Sequence, residues 1–210
     1  MLDPLAMAVL TVIALFAFTI AGVAGFGAGL ILIPVMVWML GPREAIPIIG
    51  VVQLIAAVSR TALNWKNISW PVVKWQSLGS LPISALASYL FVVTPAPIFT
   101  RILGCLLLVL VVQRHTRWGR SMKLRSFVLV GAVNGFVSGF LGPSGPIEAP
   151  FYLAYGLTGV GFVGTAAAGI VLTQLPKLSV YASNSLLGVQ ALYIAAAMGV
   201  SAVAGSVVGR

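Results

Sequence analysis

Residues 134–150 read NGFVSGFLGPSGPIEAP, and this stretch decides how the chain folds. An apolar helical run ends at Gly142-Pro143-Ser144-Gly145-Pro146, and a carboxylate, Glu148, follows at once. Glycine and proline in series interrupt a helix, one by its backbone freedom and the other by its missing donor. Irregular backbone in apolar surroundings persists only where protein or a water-filled cavity covers it. An earlier stretch, GVAGFGAGLILIP at residues 22–34, repeats the arrangement of run, break and resumed run. Two such breaks in one chain are the main pointer to function.

The surroundings are those of a lipid-solvated protein. The 210 residues are 60% hydrophobic and 7% charged, with a mean hydropathy of +1.10. Soluble domains carry roughly 25% charged residues, so the chain reads as an all-α, polytopic integral membrane protein. The formal charge of +9 sets 12 Lys and Arg against Asp3, Glu44 and Glu148. These bases sit mainly in short loops between apolar runs, which fits orientation in a bilayer rather than nucleic-acid binding. The single Cys105 forms no intrachain disulfide and is expected as a small buried residue of its run. One histidine, one cysteine and one buried acid do not make a usual metal site, and no cofactor motif is present.

Working outward, nine apolar helical segments are expected, two of them short: 5–22, 30–40, 45–63, 72–93, 98–112, 127–141, 147–155, 160–182 and 186–208. No Lys or Arg precedes the first run, so it reads as a retained helix rather than a signal peptide. Trp65, Trp70 and Trp75 with Lys66 and Lys74 mark an interfacial loop. The connector 114–126 carries Arg114, Arg117, Arg120, Lys123 and Arg125 without one acid. The positive-inside rule places it in the cytoplasm, together with the 66–74 loop and residue 210, and leaves the N-terminus outside.

The breaks also set an internal repeat. Gly29 and Gly145 lie 116 apart (145 − 29), as do Pro34 and Pro150. Arg60 and Lys177 lie 117 apart (177 − 60), and Ala87-Ser88 and Gly205-Ser206 lie 118 apart (205 − 87). Interrupted segments at matching places of two halves point to a transporter binding site. Five segments per repeat is an odd number, so the second repeat enters from the opposite side and the two are inverted. The expected organisation is a first transmembrane repeat at 1–113, a basic loop at 114–126 and a second repeat at 127–210. The second repeat is expected to lack a counterpart of the segment 98–112, either by truncation or because a partner subunit supplies it.

GFGAGLILIP at 25–34, NWKNISW at 64–70 and NGFVSGFLGPSGPIEAPFYLAYGL at 134–157, with Gly164-Thr165 after them, resemble the sulfite exporter TauE/SafE family of bacterial membrane proteins. The resemblance spans nearly the whole chain. It implies a multi-pass carrier in the bacterial cytoplasmic membrane that moves sulfite, organosulfonates or related small anions. The family pattern G-x-G-G-G has its counterpart in the first half at Gly25-Phe26-Gly27-Ala28-Gly29, with Ala28 for one glycine. In the second half the corresponding stretch is Leu141-Gly142-Pro143-Ser144-Gly145, with only the last glycine in register.

Candidate site residues follow from the breaks. Half-helix N-termini expose free N–H groups and a partial positive charge of about +0.5, a ready anion site. This selects Gly25, Gly27 and Gly29 in the first break and Ser144 and Gly145 in the second. The resumed helices are expected to start at Leu30 and Ile147, with Pro146 removing one donor. Glycines that only allow close helix packing are the plainer reading. Arg60 and Lys177, cations within apolar segments at matching positions, suit an anion, although Arg60 is near enough to a helix end to snorkel. Asn134 and Ser138 lie one turn apart on one face, and Gln53, Thr165 and Gln174 are further candidate cavity residues. Glu148 is a candidate proton-coupling group; an ion pair with Lys177 and a favourable helix-start position are its other readings.

Three other function classes compete. Gly142-Pro143-Ser144-Gly145 has the form of an intramembrane serine hydrolase, but the sole histidine, His115, sits in the basic loop, leaving Lys177 as the conceivable base. A passive anion channel shares the inverted repeats and broken helices. A structural membrane subunit is the blandest. The reading carried forward is a transporter of a small anion, embedded in lipid, without cofactor or nucleic-acid partner, and compatible with a homo-oligomer.

Overall fold

The computed structural model describes residues 4–24, 27–113, 122–142 and 145–209. Nine α-helices fill them: α1 (Pro4–Ala24), α2 (Ala28–Leu40), α3 (Pro42–Leu63), α4 (Trp70–Val93), α5 (Ala96–Gln113), α6 (Phe127–Leu141), α7 (Gly145–Ala154), α8 (Gly159–Ser183) and α9 (Val189–Val208). No strand occurs among the described residues. Six apolar stretches are long enough to cross a bilayer, in α1, α3, α4, α6 with its preceding turn, α8 and α9. The protein is a multi-pass membrane protein.

The two short helices are the resumed halves of the breaks. α2 has 13 residues and α7 has 10, about 20 and 15 Å at 1.5 Å per residue, against a hydrocarbon layer of roughly 30 Å. Gly27 at φ 111° leads into α2, and Gly142 at φ 100° closes α6; both are left-handed conformations that glycine alone adopts cheaply. Both resumed helices start two residues earlier than expected, at Ala28 and Gly145. Pro146 therefore falls in the first turn of α7, where N–H groups have no intrahelical partner anyway. Its missing donor costs the helix nothing.

Helix packing obeys a two-fold exchange of α1 with α6, α2 with α7, α3 with α8 and α4 with α9. The most extensive packing is α4 on α6, matched by α1 on α9; α3 on α9 is matched by α4 on α8; and α3 crosses α8 at the centre. The partners run in opposite directions. Arg43 at the start of α3 donates to the Val92 carbonyl at the end of α4 (3.4 Å). At the other face, the start of α8 at Gly161 and Gly164 lies beside Asn67 and Asn64, and the end of α9 at Gly209 lies on Gly22 at the end of α1. Phe127, opening α6, meets Tyr155 just beyond α7 (5.3 Å between centroids), so α7 doubles back along α6. α5 has no counterpart among the described residues.

Lipid supplies no hydrophobic force between helices, so close approach of small residues holds such bundles together. Gly131, Gly135 and Gly139 recur every fourth residue on α6 and lie directly on the α4 backbone at Gln76, Ser80 and Ser84. At the equivalent contact, Gly205 of α9 and Gly209 just past its end lie on Leu15 and Thr19 of α1. Large apolar side chains such as Phe16, Trp38, Leu129 and Val200 point outward instead, where lipid solvates them. Cys105 is also exposed on α5 rather than buried, a position that the uniform apolarity of its run does not distinguish.

Candidate functional site

The two breaks meet at one central cavity of about 40 Å³. That is room for a few waters, each needing roughly 10–15 Å³ of such space. Gly27, Ala28 and Gly29 line it from the first break, and Gly145 and Pro146 from the second. The positive ends of α2 and α7 thus border the same space. Amides in the first turn of a helix have no intrahelical acceptor; the Leu30 N–H bonds the Gly27 carbonyl (3.0 Å), and Ala28 and Gly29 just before it line the cavity.

Polar side chains complete the wall: Gln53 and Arg60 of α3, Asn134 and Ser138 of α6, Thr173 and Gln174 of α8. The Gln174 amide donates to the Gln53 side-chain oxygen (2.8 Å), bridging α8 and α3. Asn134 is 1% exposed, and neither atom of its amide has a partner; the Gln174 oxygen has none either. Buried amides without partners are costly in apolar surroundings. Their convergence on one space marks a place built for a polar occupant.

Arg60 donates through Nε to the Ala56 carbonyl (3.4 Å) and through Nη1 to the Ala21 carbonyl in the last turn of α1 (3.3 Å). A cation there satisfies an orphan carbonyl and the negative helix end together. Arg60 also borders a second, larger space of about 370 Å³, lined by Gly22, Val23, Asn64, Val163, Ser206 and Gly209 among others. This vestibule lies at the face that carries the turn Trp65–Asn67. Arg60 therefore stands in the wall between vestibule and central cavity.

The opposite face is filled. Phe91, Phe99, Phe140 and Tyr181 form a buried aromatic cluster, with centroid separations of 5.0 Å (Phe91–Phe99), 5.4 Å (Phe91–Tyr181) and 5.8 Å (Phe99–Phe140). The Tyr181 hydroxyl donates to the Gly139 carbonyl near the end of α6 (2.8 Å).

The structure gathers Gly27, Gly29, Arg60, Asn134, Ser138 and Gly145 around the central cavity, along with Gln53 and Gln174. Gly25 and Ser144 lie outside the described residues, as does His115. Lys177 does not border the cavity: it is fully buried one turn beyond Gln174, and its amine has no hydrogen-bond partner. Glu148 is not its ion-pair partner. One Glu148 oxygen accepts from the Gln76 amide (2.8 Å), and the Gln76 oxygen in turn accepts from the Tyr152 hydroxyl. Thr165 also lies elsewhere, accepting from the Ser69 N–H (3.0 Å) just before α4. Gln76, Tyr152 and Thr173 escaped the sequence reading. Gln76 had a signal, the one amide side chain of α4; Tyr152 had none. No cluster of three or more His, Cys, Asp or Glu gathers among the described residues.

Comparison with known proteins agrees with this architecture. A family model described as "Sulfite exporter TauE/SafE" matches residues 10–210. No curated relative and no solved structure matches the chain. Members of that family are transporters rather than enzymes, which removes a hydrolytic role for the second break. With a match over nearly its whole length, two broken helices and one cavity between them, the chain belongs to the sulfite exporter TauE/SafE family.

Proposed function

We propose that the protein carries a small sulfur-containing oxyanion, sulfite or an organosulfonate, across the bacterial cytoplasmic membrane, with the central cavity as its binding site. The carrying observation is that both half-helix N-termini, Arg60 and the unpartnered Asn134 amide border one central space. Donors without acceptors, next to a guanidinium and two positive helix ends, suit an anion. The repeats run over 1–113 and 127–210, and the basic loop 114–126 lies in the cytoplasm with the vestibule. In support of one face for both connectors, Arg125 stacks over Trp75 (6.0 Å to the ring centroid). A site open toward one face and filled with aromatic rings on the other fits an alternating carrier better than a channel.

Glu148 is the proposed coupling group. It is 1% exposed, one turn along α7 from Gly145 at the cavity, with one oxygen unpartnered. The test is flux of radiolabelled sulfite, sulfate, a taurine-like sulfonate and acetate into proteoliposomes, with and without a pH gradient. Saturable flux of a sulfur oxyanion, stimulated by the gradient, is expected. Flux of acetate alone, or none with folded protein, overturns the reading.

A further inference from the structure

Resting on that reading, we infer that Lys177 is a second station for the same anion, on the far side of the Gln53–Gln174 bridge from Arg60 and closed in this structure by an aromatic plug. The order of residues along the crossing of α3 and α8 carries this. From the vestibule inward come Arg60, then the central cavity, then the Gln53–Gln174 bridge at 2.8 Å. One turn beyond that bridge on each helix lie Gly50 and Lys177. A Cβ at Gly50 would stand 3.5 Å from Lys177 Cε and 3.7 Å from its Nζ, so the amine lies in the space that the glycine leaves. Beyond it the Tyr181 ring begins the plug, with its centroid 5.9 Å from Nζ.

Two-fold exchange explains why one cation is reachable and the other is not. Val23, Asn64 and Gly209 line the open vestibule. Their counterparts are Phe140 (140 − 23 = 117), Tyr181 (181 − 64 = 117) and Phe91 (209 − 91 = 118). Three residues without a ring leave a space of about 370 Å³ next to Arg60; three aromatic residues fill the equivalent space next to Lys177. A buried lysine amine with an aromatic face beside it but no hydrogen-bond acceptor is expensive at this depth. Moving α3 against α8 until the glutamine bridge parts would present that amine to an anion leaving the cavity. Lys177 is then what receives the anion when the opposite face opens, as Arg60 does now.

The test uses full-length protein with Cys105→Ala, reconstituted in vesicles sorted by orientation, with sulfite as the transported probe. Lys177→Met should raise the half-saturating sulfite concentration at least about tenfold when sulfite is presented on the plug side, with less than a twofold change from the vestibule side. Lys177→Arg should restore most of it. Independently, Lys177→Cys should react with a membrane-impermeant thiosulfonate from the plug side only, and Arg60→Cys from the vestibule side only, each slowed by a taurine-like sulfonate, which unlike sulfite does not consume the reagent. Equal effects of Lys177→Met on both sides, or labelling of both cysteines from one side, would overturn the second station while wild-type flux still upholds the carrier. Absent wild-type flux would instead remove the reading on which the station rests. If Lys177→Met fails to fold, the labelling pattern and the arginine variant decide.

Discussion

Arg60 and Lys177 occupy the same place in two oppositely directed repeats, yet Arg60 borders the central cavity and Lys177 does not. Their surroundings account for the difference. Arg60 is anchored on the carbonyls of Ala21 and Ala56. Lys177 has no hydrogen-bond partner, and in its repeat the Tyr181 hydroxyl serves the end of α6 instead. Equivalent cations thus have unlike surroundings in one conformation.

Arg60→Met should reduce sulfite transport at least about tenfold, equivalent to ~1.4 kcal/mol of lost binding. Arg60→Lys should recover only part of this, because an ammonium lacks the planar fork that reaches two carbonyls. Saturation curves in proteoliposomes separate the two: the lysine variant should show a raised half-saturating concentration with its maximal rate largely kept.

Asn134→Leu should uncouple stability from function. The Asn134 amide has no partner within the protein, so its removal abolishes no internal hydrogen bond and relieves an unsatisfied buried group worth about 1–3 kcal/mol. Thermal unfolding in detergent should be unchanged or shifted upward, while sulfite binding measured by calorimetry is lost.

Glu148→Gln keeps the side-chain shape and an oxygen for the Gln76 amide but cannot take up and release a proton. Stimulation of flux by a pH gradient should vanish, while exchange of internal for external sulfite persists. Retained stimulation would place coupling elsewhere. Gln76→Leu, by contrast, strips Glu148 of its donor and should destabilise the protein by roughly 1–3 kcal/mol.

Gly135→Leu should prevent stable folding, because its Cβ would stand 2.6 Å from the Ser80 carbonyl oxygen on α4. Overpacking costs typically about 1–3 kcal/mol where side chains can yield, and backbone yields less. Gly104→Ala on α5, where a Cβ meets nothing within 4 Å, is the control and should purify like wild type. Size-exclusion profiles of the two variants check this.

The membrane helices, the two breaks and the pairing of Arg60 with Lys177 were legible in the sequence because each breaks a local rule. Apolar runs declare themselves against a charged average, glycine and proline interrupt them, and a lone cation in such a run stands out. Membership of the cavity was legible only in part. Asn134 and Ser138 share a face by helical spacing alone, but Thr165 and Lys177 are equally polar and equally embedded, and the chain does not say which way α8 is rotated. That rotation comes from helix crossings over long sequence separations, such as Gly50 on Lys177 and Gly169 on Gln76. The Glu148–Gln76–Tyr152 chain was hidden for the same reason: 72 residues separate the first two.

The glycine contacts between α1 and α9 bear on biosynthesis. α1 is the first of the described helices to leave the ribosome, and α9, which supplies Gly205 against it with Gly209 just past its end, is the last. Throughout synthesis of everything between, α1 has no partner for the face centred on Leu15, Thr19 and Gly22. That face meets lipid until α9 is made, although α2 and Arg60 of α3 already pack on other parts of α1. Closure of the bundle is therefore a late event, and a nascent chain stalled before residue 189 would expose that waiting face to membrane quality control.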